Sequence, residues 1–148
     1  MEQGLLQAHS WLRWVLLLLA VFSVVLAIGA WFGKKSYTDT HNKLGLFLTI
    51  TADIQLLLGL LMYFVTSAVT KTAFQDFGAA MKDSNLRFWA VEHILVMIIA
   101  ITLLHIGKSK VKKADTDLKK HKTTAWFYGI ALLLILSRIP WEAARMGF

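Results

Sequence analysis

Four long apolar runs constrain this chain more than any other feature of its sequence. They cover residues 11–31, 44–66, 88–106 and 125–141. The hydrocarbon core of a bilayer is about 30 Å thick, which an α-helix crosses with about 20 apolar residues. The runs therefore predict an all-α integral membrane protein, a four-helix bundle that runs up-down-up-down, with residues 1–148 forming a single transmembrane domain.

The composition agrees with a membrane protein. Apolar residues make up 57% of the chain, against about 45–50% in a typical soluble domain, and the mean hydropathy is +0.57. A chain of 148 residues has room for one bundle of spanning helices but not for a separate soluble catalytic domain. Trp126 and Trp141 bracket the fourth and shortest run, as amphipathic rings do at the two headgroup levels. We therefore interpret this run as a spanning helix too.

The basic residues indicate how the chain is oriented. Twelve of the 16 basic residues are Lys, and ten of these lie in the segments 32–43 and 107–124. Short loops rich in Lys and Arg stay on the cytoplasmic side of a membrane. Both segments are therefore predicted to be cytoplasmic, with the N and C termini on the non-cytoplasmic side. Because orientation accounts for most of the net charge of +7, we expect the bilayer, membrane proteins or a second copy of the chain as partners, and no nucleic acid.

The chain contains no Cys. This excludes disulfides, iron–sulfur clusters with thiolate ligands, Cys-based zinc sites and covalent haem attachment through a C-x-x-C-H motif. Any bound metal must therefore use His, Met or carboxylate ligands.

The segment 67–87 connects the second and third runs on the outer side. It places Phe74, Phe77 and Met81 at positions i, i+3 and i+7, so that they share one helix face. This spacing predicts a short interfacial helix that lies on the membrane surface and caps the mouth of the bundle.

The informative residues are the ionisable ones in or beside the apolar runs, because each is costly in hydrocarbon unless it has a partner or a watery pocket. His9 lies at the outer rim of the first helix, with Arg13 one turn deeper on the same face. Glu92 and His93 lie roughly 7 Å below the outer surface at about 1.5 Å per residue, and Arg138 reaches a similar depth from the fourth helix. The sequence therefore predicts one cluster of these five residues in the outer leaflet.

Three interpretations of this cluster are open. In the first, Arg13 or Arg138 holds Glu92 in a buried ion pair, and His93 forms a hydrogen bond with a backbone carbonyl or a hydroxyl. In the second, His9 and His93 are the axial ligands of a b-type haem, an arginine neutralises a propionate, and Glu92 orients an imidazole. In the third, the cluster is a quinone or proton site, since a His beside a Glu can accept protons as a quinol is oxidised.

A second candidate metal site lies on the cytoplasmic side. His41 opens the second helix, His105 ends the third and His121 precedes the fourth, so three imidazoles could gather near one membrane level. His41 and His105 are the candidate ligands. Against a second haem, His93 and His105 are twelve residues apart, which turns them by roughly 120° around a helix at about 100° per residue. The two side chains therefore do not share one helix face.

Asp53 lies near the middle of the second run, where a carboxylate is most costly. In one interpretation it forms a polar contact that joins two helices. In the other it is a step of a proton relay or an ion site. We favour the polar contact, because the sequence shows no continuous chain of relay partners.

Several short motifs resemble those of a known group of proteins. They are His9-Ser10-Trp11-Leu12-Arg13-Trp14, Asp53-Ile54-Gln55, Glu92-His93, His105 and Ile139-Pro140-Trp141. The chain resembles small bacterial four-helix membrane proteins labelled cytochrome b-like, and its layout is similar to the helical units of cytochromes b561 and haem A synthase. The resemblance implies a multi-pass protein of the bacterial inner membrane with haem ligands among His9, His93 and His105. The spacing within the third helix departs from the usual two-haem pattern, which argues against a two-haem relay.

Two function classes follow as expectations. The first is a b-type haem protein that transfers electrons, with a membrane quinone as a candidate partner. The second is a non-catalytic subunit or assembly factor of a larger respiratory complex, in which the polar cluster serves only helix packing. In both cases we expect an electron carrier or a complex subunit rather than a stand-alone enzyme.

Overall fold

The fold is all-helical, as the apolar runs predict. A computed structural model of the chain describes residues 1–142, and within this range there is no β-strand. Long helices occupy most of the chain, and short helices fill the connection between the second and third apolar runs. The helices and their bounds are α1 (Glu2–Phe32), α2 (Asp39–Leu61), α3 (Ala68–Gln75), α4 (Phe77–Ala80), α5 (Ser84–Arg87), α6 (His93–Lys113) and α7 (Asp117–Ser137).

Two π-helical turns interrupt the regular pattern on the side of the molecule where α3 to α5 lie. One, Met62–Thr66, continues α2, and the other, Phe88–Glu92, leads into α6. A π-helix bonds residue i to residue i+5, so it brings side chains together that an α-helix would hold apart. Both turns lie beside the candidate site described below.

Three of the described helices are long and apolar enough to cross a membrane. They span Glu2–Phe32, Asp39–Thr66 and Ser84–Lys113. Helix α7 is also 21 residues long, but its first six residues are the polar stretch DLKKHK, which lowers its mean hydropathy. Three helices are therefore consistent with a membrane protein. The fourth span and the orientation of the chain stay predictions.

The long helices pack in a ring, in which α1 contacts α2, α2 contacts α6, α6 contacts α7 and α7 contacts α1. Small residues lie at the contacts, which lets helix backbones approach closely. Ala52, Ala100 and Ala131 are completely buried, and Leu48 and Leu104 fill the space between them.

Tyr128 of α7 occupies a space that two glycines leave open. Its side chain is 2% exposed. A Cβ atom on Gly45 of α2 would lie 2.9 Å from the Tyr128 hydroxyl oxygen, and a Cβ on Gly107 of α6 would lie 2.5 Å from the Cβ of Phe127. Glycine at both positions therefore permits the close approach of α7 to α2 and α6.

The two cytoplasmic loops predicted from the sequence are largely helical. The connection from α1 to α2 covers residues 33–38, and that from α6 to α7 covers residues 114–116. Lys has a high helix propensity, and Thr116 caps α7 by accepting a hydrogen bond from the Lys119 amide. The helices thus continue past the apolar runs, because apolar composition marks contact with hydrocarbon rather than the end of a helix.

The predicted interfacial helix is divided into three short ones. Asp76 leaves the helical backbone conformation between α3 and α4, and its side chain accepts a hydrogen bond from the Ala79 amide. Phe74 and Phe77 therefore belong to different helices, although their rings still stack with centroids 5.9 Å apart. The buried side chains of Ala73 and Ala80, together with Ala90, hold this segment against the π-helical turn before α6.

Candidate functional site

A cavity of about 380 Å³ lies between the long helices and is walled on one side by the segment that includes α3. Its volume falls in the range of ligand pockets, about 300–1,000 Å³. Most of its wall is apolar, and a small number of polar side chains contribute to it. The polar and aromatic residues that line the cavity include His9, Arg13, Gln55, Tyr63, Trp89 and His93.

His93 is held in a defined tautomer. Its Nδ1–H donates a hydrogen bond to the backbone carbonyl of Arg138 at 2.7 Å, so Nε2 carries the lone pair. The rings of Phe88 and Trp89 pack against the imidazole with centroids 5.9 and 5.7 Å away. A carbonyl partner of this kind orients a histidine that ligates a metal, and it equally matches the backbone contact expected for a purely structural histidine.

His9 contributes the second imidazole of the cavity. Its Nδ1 is buried and has no hydrogen-bond partner among residues 1–142. The ring packs on α2, where its Cε1 would lie 3.3 Å from a Cβ atom on Gly59. Gln55 Nε2 donates a hydrogen bond to the His9 carbonyl at 2.8 Å, and this bond joins α1 to α2. His9 lines the same cavity as Arg13 and His93.

Arg13 and Gln55 add polar groups to the cavity wall. Arg13 is only 7% exposed, and its guanidinium lies 5.3 Å from the ring centroid of Trp14. Gln55 Oε1 is buried and accepts no hydrogen bond from the described part of the chain. The cavity therefore combines apolar walls with two imidazoles, a cation and an amide oxygen.

Among residues 1–142, the Glu92 carboxylate contacts two arginines. Arg87 Nε lies 2.8 Å from its Oε1, and Arg138 Nε lies 3.7 Å from its Oε2. Arg87 also donates a hydrogen bond from Nη1 to the Met81 carbonyl at 2.9 Å. Of the two arginines expected to hold Glu92, the structure brings Arg138 near it, whereas Arg13 lies in the cavity wall.

Arg87 is a partner that sequence reasoning missed. It precedes the third apolar run and is five residues before Glu92, a spacing that does not bring side chains together on an α-helix. The π-helical turn Phe88–Glu92 closes this gap. No periodic signal in the sequence marks that turn, so the pair could be found only from the structure.

Asp53 and His105 form a separate pair between α2 and α6. His105 Nε2 is 2.7 Å from Asp53 Oδ1, and the two side chains are 50% and 48% exposed. This contact joins two helices, which is the role favoured for Asp53 from the sequence. It also separates His105 from His41, the residue with which it was expected to share a second metal site.

His41 lies instead in an aromatic cluster at the start of α2. Its ring centroid is 4.8 Å from that of His121 and 5.3 Å from that of Tyr37. The Thr38 amide donates to His41 Nδ1 at 3.1 Å, so His41 serves as part of a helix cap. His121 is 1% exposed and donates from Nε2 to the Lys35 carbonyl. Burial raises the pKa of the Tyr37 phenol above its usual value.

Across residues 1–142, no three His, Asp or Glu side chains gather into a cage for a metal ion. A haem iron takes only two axial ligands from the protein, so the pair of imidazoles in the cavity is the arrangement to consider. The residues present fit that requirement in kind, since the His9 and His93 imidazoles line one largely apolar cavity and His93 Nδ1, rather than Nε2, contacts the Arg138 carbonyl.

Comparison with protein-family models, with curated proteins and with solved structures finds no match to this chain.

Proposed function

We propose that this chain is a b-type haem protein that transfers electrons within a membrane, with His9 and His93 as the residues that would hold the haem iron. The observation that carries the proposal is the cavity itself, because it collects two imidazoles from different helices in a mostly apolar wall. Haem bound there would supply one-electron redox chemistry. The polypeptide would supply its ligands, its orientation and a medium of low polarity.

The membrane arrangement is part of the proposal. We place α7 as the fourth span of an up-down-up-down bundle in a bacterial inner membrane, with both termini outside. Trp126 and Trp141, at the two ends of its apolar part, are 61% and 40% exposed and are suited to the two headgroup levels. Lys119 and Lys122 near its start are solvent-exposed and suited to the cytoplasmic surface.

The hydrogen bonds around the imidazoles support their role as ligands. The Arg138 carbonyl accepts the Nδ1 proton of His93, which fixes the direction of that ring and leaves Nε2 as the nitrogen that could bind a metal. The Gln55 amide fixes the backbone of His9. Arg13, a buried cation in the same wall, would neutralise a propionate.

A membrane quinone is the electron partner that suits this site. Quinones are apolar molecules with two carbonyl oxygens, and they share the bilayer with the proposed spans. Arg138 and Glu92 lie beside the His93 end of the cavity, where the Glu92 carboxylate could accept a proton from a quinol while Arg138 holds that carboxylate in place.

The test is a reduced-minus-oxidised absorption spectrum of the full chain, purified from cells that make haem. We expect a b-type α-band in the natural sequence and its loss in His9→Gln and in His93→Gln, because each change removes one axial ligand. The control is His41→Gln, which lies in the aromatic cluster outside the cavity and should keep the band. A natural chain without the band would contradict the proposal.

The alternative is a non-catalytic subunit or assembly factor of a larger respiratory complex. The observation that favours it is the pairing of Glu92 with Arg87 and Arg138, which gives the outer polar residues a packing role without any ligand. In that case the double variant His9→Gln with His93→Gln should still assemble with its partners and support full respiratory activity. Loss of activity in an assembled complex would exclude this alternative.

A further inference from the structure

The outward surface between α2 and α6 carries a polar pair in an otherwise apolar stripe. Ile50, Asp53 and Leu57 share one face of α2 at spacings of three and four residues. Ile98, Thr102 and His105 share one face of α6 in the same way. We name these six residues the α2–α6 face. Ile50 and Leu57 are 44% and 62% exposed, so this face contacts whatever surrounds the protein.

The polar pair at the centre of this face is not fully covered. Asp53 and His105 are each about half exposed, and both lie inside segments long and apolar enough to span a membrane. Hydrocarbon offers no hydrogen bonds to such groups, so polar residues inside membranes are turned toward protein or water. We therefore expect a protein partner to cover Asp53 and His105 on this outward face.

The hydrogen-bonding capacity of the pair is self-complementary. A hydrocarbon surrounding favours a pair with no net charge, which is either a carboxylate with an imidazolium or a carboxylic acid with a neutral imidazole. One proton lies between Asp53 Oδ1 and His105 Nε2 in both states. The second proton is then on His105 Nδ1, and Asp53 Oδ2 is an acceptor. The face thus presents one donor and one acceptor side by side, and neither has a partner within residues 1–142.

We propose that the α2–α6 face is the docking surface for a second copy of this chain. A two-fold axis through the face would set His105 Nδ1–H of each copy against Asp53 Oδ2 of the other, since a two-fold interface pairs each residue with its complement. The two pairs would close into a ring of four hydrogen bonds. Ile50, Leu57 and Ile98 would pack around that ring and exclude lipid from it.

The shape of the face favours a helical partner over a small ligand. Neither Asp53 nor His105 lines the large cavity. Thr102 Oγ1 donates to the Ile98 carbonyl of its own helix at 2.8 Å. Thr102 is therefore a small side chain on this face whose hydroxyl proton is already hydrogen-bonded. Small residues of this kind allow helices of two copies to approach closely.

The absence of Cys from the chain permits a direct cross-linking experiment. A single Thr102→Cys variant, treated with a short bismaleimide in native membranes, should give a covalent dimer of the full chain. The control is Val25→Cys, which is 59% exposed on α1, away from the proposed contact, and should give no covalent dimer. Failure of Thr102→Cys to cross-link, or a cross-link to a different protein, would overturn the proposal.

Substitutions of the pair then test its chemistry. Asp53→Leu and His105→Leu, each in the Thr102→Cys background, should lower the dimer association constant by at least about tenfold, as expected for two lost interhelical hydrogen bonds. The exchange of both residues, Asp53→His with His105→Asp, restores a donor beside an acceptor and should recover dimers. Circular dichroism checks that each variant is folded. Undiminished cross-linking in a folded Asp53→Leu variant would contradict the proposed pairing.

Discussion

At the scale of the residue, neighbours in the sequence have different roles in the structure. Glu92 pairs with Arg87 and Arg138, whereas His93 donates to a backbone carbonyl and lines the cavity. The two residues lie at the junction of the π-helical turn with α6, where their side chains diverge. The carboxylate therefore has arginine partners and the imidazole has a backbone partner, so that Nε2 of the imidazole stays available as a ligand.

The Arg87–Glu92 contact gives a prediction about stability. Arg87→Met should lower the free energy of unfolding by at most about 1 kcal/mol, because both side chains are partly exposed and Arg138 remains near the carboxylate. Glu92→Met should cost more, since it removes the carboxylate from beside two guanidinium groups. Thermal unfolding in detergent, followed by circular dichroism, measures both. A larger loss for Arg87→Met than for Glu92→Met would show that the carboxylate is not the centre of this contact.

At the scale of the element, the approach of α7 to its neighbours depends on the absence of side chains on two helices. Gly45 of α2 and Gly107 of α6 both lie against Tyr128. Apolar helices gain little hydrophobic energy from contact inside a bilayer, so close van der Waals packing is a main source of their association. The two glycines therefore determine where α7 lies.

Gly107→Ala should weaken the contact of α6 with α7. Its Cβ would lie 2.5 Å from the Cβ of Phe127, and such overpacking costs roughly 1–3 kcal/mol. The matched control is Gly129→Ala on α7, where no atom lies within 4 Å of the new Cβ. This control should be neutral or stabilising by up to about 1 kcal/mol through helix propensity. Equal unfolding temperatures for the two variants would contradict the packing argument.

At the scale of the whole molecule, the number of membrane spans depends on the position of α7. The described helices that meet the length and hydropathy criteria are the first three long ones. Helix α7 packs against α1 and α6 along the ring, and its buried residues Tyr128, Ala131 and Ile135 belong to the same core as theirs. Because α7 packs into the same core as the other long helices, we expect it to lie in the bilayer with them.

Single cysteines can test this topology in the naturally Cys-free chain. With a membrane-impermeant maleimide, Gln3→Cys and Ser84→Cys should be labelled in spheroplasts, whereas Lys35→Cys and Asp115→Cys should be labelled only after lysis. Glu142→Cys decides the position of α7. Labelling of Glu142→Cys from outside supports four spans, and labelling only after lysis would show that α7 stays on the cytoplasmic side.

The sequence by itself determined the helical class and the position of each apolar segment. A segment in hydrocarbon needs apolar side chains and a backbone whose hydrogen bonds are all internal. Long apolar runs in the sequence therefore indicate spanning helices. The residues at which the helices begin and end could not be predicted as well from the sequence. Segments such as 107–124 combine Lys, a good helix former, with few apolar residues, so their composition indicates contact with water without indicating where a helix ends.

Only the tertiary structure decided which polar residues meet. The cluster expected from depth is now divided, with His9, Arg13 and His93 in the cavity wall and Glu92 paired with Arg87. Likewise, His105 contacts Asp53 rather than His41. Depth along a helix follows from counting residues, but contact between helices depends on their rotation about their axes. That rotation is set by small residues at the packing surfaces and by the two π-helical turns, neither of which leaves a periodic mark in the sequence.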